Sequence, residues 1–274
     1  FENPHSVLKD GVQLDVWNVS YVSWESLAGQ LTPIVIRGFA AKPQGQASGL
    51  PGVVQAHGLG GFSKESDATT AAALLGMFVL AYTGPGGGDA PDNTSEGLPS
   101  GDDNGYRMFD TIPDARGSWF WAHSVAAMRG LTCLAARPEV DAARLGMTGF
   151  SAGGVATLIA AGVDDRVKAA VPLSGTHAWS VATQSPDAWQ HSLLTAAGLS
   201  TQSPEWIKLQ TELIDPAAIV AHTQSKVLMV NGSTDEFFPL SAHVATFDAI
   251  GGTDKRTSIA VSYTHLRAHE TKAN

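Results

Sequence analysis

The segment Arg144–Ala161, RLGMTGFSAGGVATLIAA, contains the strongest fold signal in the sequence. A short apolar run ends at Gly149, Ser151 follows within a Gly-x-Ser-x-Gly pattern, and a second apolar run begins at Val155. This order is typical of a strand, a sharp turn and a helix, with the serine hydroxyl exposed at the turn. Glycines two residues either side of the serine leave room for such a turn. The segment therefore predicts a nucleophilic Ser151 rather than an incidental serine in a glycine-rich turn.

Length and composition predict one globular domain. The chain has 274 residues, of which 43% are hydrophobic, so it can bury a full core. Its formal net charge of −9 and its lack of a Lys/Arg cluster would repel nucleic acid, which we exclude as a partner. The longest apolar run, Ala71–Tyr82, is too short to span a bilayer and is interrupted by Gly76, so no membrane span is predicted.

The cysteine count and the first residue say little about the compartment. The only cysteine, Cys133, lies in an apolar helical stretch, which predicts a buried, unreactive thiol and no disulfide. The sequence starts at Phe1 without a methionine or a charged-then-apolar leader, as expected if a signal peptide has been removed or if the sequence begins mid-chain. A secreted or periplasmic protein fits the first case. The compartment and the oligomeric state stay open.

The order of the apolar segments predicts an α/β fold. Val12–Val19 alternates and Pro33–Ala40 is rich in β-formers, which predicts an antiparallel strand pair at the sheet edge. From Gly52 onward short apolar strands alternate with helical segments, the pattern of a mostly parallel central sheet with helices on both faces. The predicted strands are 53–56, 77–82, 145–148, 167–173, 227–230 and 257–260, and the predicted helices are 66–75, 118–136, 155–162 and 241–250.

Two insertions interrupt this alternation. Residues 83–117 form a long loop rich in Gly, Asp, Asn, Ser and Pro, of the kind that lines a site or remains disordered. Its Asp102-Asp103-Asn104 run matches no metal-binding spacing, so we predict a solvated loop and no metal site. Residues 176–223 predict a small helical cap over Ser151. The three tryptophans of the cap, which either form its own core or line an acyl pocket, are Trp179, Trp189 and Trp206.

A nucleophilic serine also needs hydrogen-bond donors for the oxyanion. The strand at 53–56 leads into His57-Gly58-Leu59-Gly60-Gly61, where glycines allow backbone N–H groups to face the same point as the N–H of Ala152. We predict Leu59 as the second donor, with Gly60 as the residue that could replace it. His57 precedes the serine in the chain, whereas the base follows it in this kind of sheet, so His57 is predicted to fix the loop by hydrogen bonding.

The acid and the base are expected after the serine, in that order. The turn after the predicted strand at 227–230 delivers Asp235 to the carboxyl end of the sheet, while the adjacent Glu236 would point the other way. Among the histidines beyond Asp235, His243 falls inside a predicted helix, which favours a packing or surface role. His265 follows the last predicted strand, where the base belongs.

Four motifs together resemble the α/β-hydrolase superfamily, and within it the dienelactone hydrolase and acetyl xylan esterase-like branch. They are HGLGG (57–61), YTGPGGGD (82–89), RPEVDAARLGMTGFSAGG (137–154) and VNGSTDEFFP (230–239), and the resemblance runs from about Gly52 to Ala260. It implies a triad of Ser151, Asp235 and a histidine, with carboxylic esters hydrolysed through an acyl-enzyme and no cofactor. Small-molecule or carbohydrate-linked esters are the implied substrates.

The last residues depart from this family pattern. Such proteins usually continue after the last strand with a histidine, a small residue and a helix that packs on the sheet, whereas Thr264–Arg267 follows here. Residues 261–274, VSYTHLRAHETKAN, have no apolar stripe and resemble a translated sequencing adapter. We therefore expect a single domain over residues 1–260 and a non-native tail, in which His265 would stand near the place of the native base by coincidence.

Two other functions share these features. A serine peptidase of the prolyl oligopeptidase type has the same triad layout, and a non-catalytic binding protein can have the same fold. An enzyme is favoured because the nucleophile, the acid and the oxyanion loop all follow predicted strands. An esterase is favoured over a peptidase because the cap is short.

Overall fold

The protein forms one nine-stranded sheet, described by a computed structural model over residues 1–46, 48–101, 106–175, 178–196 and 204–261. The strand order is β1-β2-β3-β5-β4-β6-β7-β8-β9, and pairing is parallel from β5 to β9 and antiparallel from β1 through β3 to β5. The mostly parallel sheet is thus confirmed. The strands are β1 (Glu2–Lys9), β2 (Val12–Leu27), β3 (Gln30–Pro43), β4 (Leu50–Ala56), β5 (Phe78–Tyr82), β6 (Val140–Phe150), β7 (Val167–Leu173), β8 (Lys226–Gly232) and β9 (Lys255–Ala260).

The antiparallel edge is larger than the sequence predicted. β2 and β3 form a long hairpin that is in register from Leu14 opposite Pro43 to Leu27 opposite Gln30. Its turn residues Ala28 and Gly29 have φ angles of 49° and 78°, as a two-residue hairpin turn that matches the strand twist requires. β1 was not predicted because its sequence, ENPHSVLK, carries little alternating apolar signal and most of its side chains are exposed.

Helices cover both faces of the sheet, as predicted. α1 packs Ala68 and Ala72 against Val79 and neighbouring side chains of one face. α2 and α3 pack on the opposite face, where Leu131 and Leu158 belong to the main core cluster. The helices are α1 (Glu65–Leu75), α2 (Trp119–Ala135), α3 (Ala152–Val163), α4 (Trp179–Ala182), α5 (Trp189–Ala196), α6 (Pro204–Leu209), α7 (Pro216–Ile219) and α8 (Leu240–Ala249).

The insertion between β7 and β8 is helical where it is described, with α4 to α7 and a π-helical turn at Gln210–Ile214. Trp179 and Trp206 are only 1% and 6% exposed and share a cluster with residues of α2, α3 and the 83–117 loop. The Trp206 indole donates to the Phe109 carbonyl oxygen at 3.0 Å. These two tryptophans therefore belong to the core beneath the insertion, whereas Trp189 is partly exposed beside Phe237.

The single cysteine and the longest apolar run both lie in regular elements of the fold. Cys133 is half-buried in α2, and its partial burial raises the pKa of the thiol. The run 71–82 divides into the end of α1 and the fully buried β5, with Gly76 in a left-handed conformation between them. Among the described helices none has the length and apolarity needed to cross a bilayer.

Candidate active site

Ser151 lies in the strained turn that the Gly-x-Ser-x-Gly pattern predicts. β6 ends at Phe150 and α3 begins at Ala152, and Ser151 between them has φ 56° and ψ −118°. A positive φ is costly for a residue with a side chain and persists only where the surroundings hold it. Here the Ser151 N–H donates to the Leu173 carbonyl at 2.9 Å, and the Ser151 carbonyl accepts from the Val155 N–H at 3.1 Å.

Close backbone packing explains the glycines around the serine. A Cβ on Gly149 would lie 2.5 Å from the backbone of Gly153, and a Cβ on Gly153 would lie 2.2 Å from the Ala56 carbonyl oxygen. Either side chain would push the turn away from β4. A Cβ on Gly58 would lie 3.2 Å from the Ser151 Cβ, so the loop after β4 runs directly beside the serine.

That loop also contains the predicted oxyanion donor. Gly61 donates its N–H to the Gly58 carbonyl at 3.0 Å, which closes a tight turn. The Leu59 side chain packs against the cluster that includes Ala152, the other predicted donor. Gly60, the alternative donor, is exposed and has φ +69°. The fold therefore places Leu59 and Ala152 on the two segments that flank Ser151.

His57 fixes this loop, as the sequence predicted. Its Nδ1 lies 2.6 Å from the Gly58 carbonyl oxygen, and its Nε2 accepts the Gly84 N–H at 2.7 Å. Loss of hydration lowers the pKa of His57 to about 4, so the imidazole is neutral at pH 7. With both ring nitrogens engaged, His57 connects two loops and has no free lone pair for a base.

A second aromatic layer beneath His57 was not predicted from the sequence. His123 of α2 is fully buried, stacks on Trp119 at a ring distance of 4.4 Å and lies 5.4 Å from the His57 ring. Tyr82 donates its hydroxyl to the His123 backbone carbonyl at 3.1 Å. Burial, with a smaller contribution from the nearby His57, lowers the pKa of His123 well below 6.5. His123 sits inside an apolar helical run, so nothing in the local pattern indicated that it would meet the site loops.

Asp235 is held at the carboxyl end of β8 by hydrogen bonds to its Oδ1, and the Ser174 hydroxyl lies close enough to the carboxylate to affect its pKa. Its Oδ1 accepts the N–H groups of Phe237 and Phe238, each at 3.0 Å, and the residue is only 4% exposed. Within the described part of the chain its buried Oδ2 has no hydrogen-bond partner. Burial raises the pKa of Asp235, partly offset by those two N–H groups and by the Ser174 hydroxyl. The neighbouring Glu236 is exposed.

Ser174 stands between the serine and the aspartate and was missed in the sequence analysis. It follows β7, which lies between β6 and β8, and its N–H donates to the Val230 carbonyl at 2.8 Å. Ser174 is fully buried with a φ of 42°, a second strained residue at the same edge of the sheet. The signal that could have indicated it is the Ser-Gly pair directly after a predicted strand.

The histidines considered for the base after Asp235 are His243 and His265. His243 is buried in α8 and contacts the Thr257 hydroxyl of β9 through Nε2 at 2.7 Å, and burial lowers its pKa to about 4. Of the two roles predicted for it, packing or surface, the structure shows packing. His265 lies outside the described residues. The chain leaving β9 passes the turn that carries Asp235, because Ser233 donates its N–H to the Ala260 carbonyl and its hydroxyl to the Val261 carbonyl, each at 2.8 Å.

No cluster suitable for a metal ion is found in the described ranges, where no group of three or more His, Cys, Asp or Glu side chains could hold one. The acidic run Asp102-Asp103-Asn104 falls outside these ranges.

Comparison with solved structures identifies the fold. An acetyl xylan esterase from Paenibacillus sp. R4 superimposes with a TM-score of 0.73 at 22% identity, covering 98% of this chain and 87% of that one. Acetyl xylan esterase 1 from Thermoanaerobacterium sp. JW/SL YS485 gives 0.69 at 20% identity, with 96% and 83% covered. A putative dienelactone hydrolase from Klebsiella pneumoniae gives 0.54 at 17% identity, with 93% and 95% covered. No curated protein matches the sequence significantly. These likenesses establish the α/β-hydrolase fold.

The family assignment comes from the sequence itself. Residues 11–273 match the family model for acetyl xylan esterases. This match covers nearly the whole chain and agrees with the strained serine turn at the carboxyl edge of the sheet. The chain therefore belongs to the acetyl xylan esterase family and is a carboxylic ester hydrolase.

Proposed function

We propose that the protein removes acetyl and other short acyl groups from small-molecule or carbohydrate-linked esters through an acyl-enzyme on Ser151. The observation that carries this proposal is the arrangement of three strand ends. Ser151 is partly exposed in a strained turn after β6, and Asp235 has a buried carboxylate oxygen, Oδ2, without a described hydrogen-bond partner after β8. Ser151 and Asp235 flank the end of β7, so one histidine placed above β7 would bridge them.

The proposed reaction has two halves, acylation of Ser151 and hydrolysis of the acyl-enzyme. The base takes the Ser151 hydroxyl proton as Oγ attacks the ester carbonyl carbon, and the N–H groups of Leu59 and Ala152 donate to the oxyanion that forms. The tetrahedral intermediate collapses, the C–O bond to the alcohol breaks, and the protonated base gives its proton to the departing alkoxide. Water, deprotonated by the same base, attacks the acyl carbon, the bond from that carbon to Ser151 Oγ breaks, and Oγ takes the proton back from the base as the carboxylic acid leaves.

Asp235 acts on the base rather than on the substrate. Its Oδ2 accepts the N–H of the imidazole, which selects the ring tautomer that can deprotonate Ser151 and stabilises the imidazolium formed during attack. The two backbone N–H groups on Oδ1 hold the carboxylate in place without occupying Oδ2.

The base is assigned to the chain that follows β9. Val261, the last described residue, lies against Ser233 in the Asp235 turn, so the next residues start beside the acid. His265 occupies this position in the sequence. Because residues 261–274 resemble a translated adapter, we assign the base to this position in the chain and not to the His265 side chain itself.

The substrate class rests on the family and on the insertion. Proteins named acetyl xylan esterases share the fold, which favours a short acyl group on a carbohydrate. Trp179 and Trp206 are buried in the core and do not line a long acyl channel. The partly exposed Trp189 and Phe237 provide a limited apolar surface. We expect acetyl and butyryl esters to be hydrolysed faster than esters of about ten carbons or more.

Active-site labelling tests the proposal. In a version of the protein with a working base, a fluorophosphonate probe should modify Ser151, as located by mass spectrometry. Ser151→Ala should abolish the labelling and lower p-nitrophenyl acetate hydrolysis to the rate seen without enzyme. Ser174→Ala is the matched control, since Ser174 is a second strained serine at the same edge but is fully buried. An adduct on Ser174, or hydrolysis that survives in Ser151→Ala, would remove Ser151 as the nucleophile.

A further inference from the structure

His57 joins two loops that meet beside Ser151, and its hydrogen bonds define its protonation. The Gly84 N–H donates to Nε2 at 2.7 Å, and an amide N–H cannot accept, so Nε2 must carry the lone pair. The proton of the neutral ring is then on Nδ1, which donates to the Gly58 carbonyl oxygen at 2.6 Å. The ring therefore holds one tautomer and ties the loop after β4 to the loop after β5.

The hydrogen bond from His57 to the Gly58 carbonyl bears on the direction of the Leu59 N–H. The Gly58 carbonyl and the Leu59 N–H belong to the same peptide unit, which is planar and trans, so the N–H points opposite to the C=O. The Gly58 oxygen accepts from both His57 Nδ1 and the Gly61 N–H, which fixes the orientation of that unit. The same unit borders the nucleophile, since a Cβ on Gly58 would touch the Ser151 Cβ at 3.2 Å.

We propose that His57 is a positioning residue for the oxyanion hole, which orients the Leu59 N–H toward the acyl group on Ser151 by holding the Gly58 carbonyl. The inference rests on the proposed function of Ser151. His57 itself touches neither the substrate nor the reacting atoms. Because an oxyanion donor interacts more strongly with the transition state than with the bound ester, losing its orientation lowers kcat and leaves KM nearly unchanged.

The Gly84 bond gives the ring its second anchor. Gly84 has no room for a side chain, since a Cβ there would lie 2.6 Å from His123 Nδ1 and 3.2 Å from the Trp119 ring. The Gly84 backbone is therefore pressed against the aromatic layer and presents its N–H to His57 from a fixed position. This anchor connects the oxyanion loop to the 83–117 loop, so the two loops are held as one unit beside the serine.

Kinetics of three variants test this role in the 274-residue protein. His57→Ala removes both bonds, and His57→Asn keeps an amide donor near the position of Nδ1. His243→Ala is the matched control, because it removes another buried histidine with a pKa of about 4 whose ring contacts Thr257 of β9. Losing one oxyanion donor costs about 10²–10³ in kcat, so a misoriented one should cost roughly tenfold to a hundredfold.

We expect His57→Ala to lower kcat for p-nitrophenyl acetate by this factor with KM within about twofold, and His57→Asn to recover part of the loss. His243→Ala should retain its kcat below its melting temperature. Equal losses in His57→Ala and His243→Ala, an effect confined to KM, or no difference between His57→Ala and His57→Asn would overturn the proposal. The assay does not require a fully active base, since oxyanion donors accelerate hydrolysis without a complete triad.

A spectroscopic measurement tests the bridge without hydrolysis. In ¹⁵N NMR spectra at neutral pH, His57 should show a protonated Nδ1 and an unprotonated Nε2. A protonated Nε2 would break the inferred bond from Gly84 and overturn the proposal. If Ser151→Ala leaves ester hydrolysis unchanged, the proposed function fails, whereas the NMR result still decides whether His57 orients the Gly58-Leu59 peptide unit.

Discussion

Ser151 and Ser174 are the two strained serines at the carboxyl edge of the sheet. Both serines have positive φ angles, 56° and 42°, and both donate their N–H to the carbonyl of a neighbouring strand end. The surrounding parallel strands thus hold conformations that isolated residues would avoid. Sequence reasoning found Ser151 because the flanking glycines mark it. It missed Ser174 because its role depends on β6 and β8, which are distant in sequence.

Asp235 gives the first prediction at this scale. In a version of the protein with a working base, Asp235→Asn should lower the turnover rate by about a thousandfold or more, because the amide can stabilise the wrong imidazole tautomer. The fold should persist, since the Asn side-chain oxygen can still accept from Phe237 and Phe238. Glu236→Gln, next in sequence but exposed, should stay near the parent rate. The reverse result in an esterase assay would assign the acid to Glu236.

Asp215 gives a pH prediction. Its carboxylate is 2% exposed and accepts the N–H groups of Trp179 and Ala217, and burial raises its pKa from 3.8 to about 7 despite these bonds. The unfolded chain ionises this group near pH 4 and the folded protein only near pH 7. Because the folded protein holds this proton more tightly than the unfolded chain does, the contribution of Asp215 to the free energy of unfolding is greatest below about pH 4. It falls by roughly 4 kcal/mol as the pH rises to about 7, for a shift of about three pKa units.

The measurement is urea unfolding of the parent protein and of Asp215→Asn at several pH values. The free energy of unfolding of the parent minus that of the variant should fall between about pH 4 and pH 7 and be level above it. A difference that rises with pH would mean that the two N–H groups outweigh burial and that the pKa of Asp215 is lowered in the folded protein.

The elements that sequence reasoning predicted well are those with a continuous apolar signal. β5, β7, α2 and α3 match their predicted ranges within three residues at each end, because each buries an apolar run or stripe. β1 and the outer half of the β2–β3 hairpin were missed. Most β1 side chains are exposed, and in the outer hairpin the usual pattern is inverted, since Ser23 and Glu25 are buried while Val22 and Trp24 are exposed. The contacts made by the long loops could not be predicted, because His57, Gly84 and His123 come together only through tertiary packing.

β8 gives a prediction at the scale of the element, because neighbouring side chains on a strand point to opposite faces. Met229 is fully buried beside the face that α8 covers, whereas Leu228 is 39% exposed on the other face. Met229→Ala should lower the free energy of unfolding by about 2–5 kcal/mol. Leu228→Ala should cost less than about 1 kcal/mol. Equal losses in urea unfolding would show that the Leu228 face is covered in the protein in solution.

At the scale of the whole molecule, strand order brings the site together. The sheet order β4-β6-β7-β8-β9 aligns the oxyanion loop, Ser151, Ser174, Asp235 and the exit at Val261 along one edge, although they span more than 200 positions of the chain. For this reason the sequence could predict that Ser151 and Asp235 follow strands at the same edge of the sheet.

The last prediction concerns that tail. We propose, from its resemblance to a translated adapter, that residues 261–274 are not native, although the family match extends to residue 273. Without its base an enzyme of this type keeps only the acceleration from the oxyanion hole and binding, several orders of magnitude below full activity. We therefore expect the 274-residue protein to hydrolyse p-nitrophenyl acetate slowly and His265→Ala to change little. Replacing residues 261–274 with the uninterrupted reading frame from the source DNA should restore the rate. A high rate that His265→Ala abolishes would instead make His265 the base, because only a residue in contact with both Ser151 and Asp235 can have that effect.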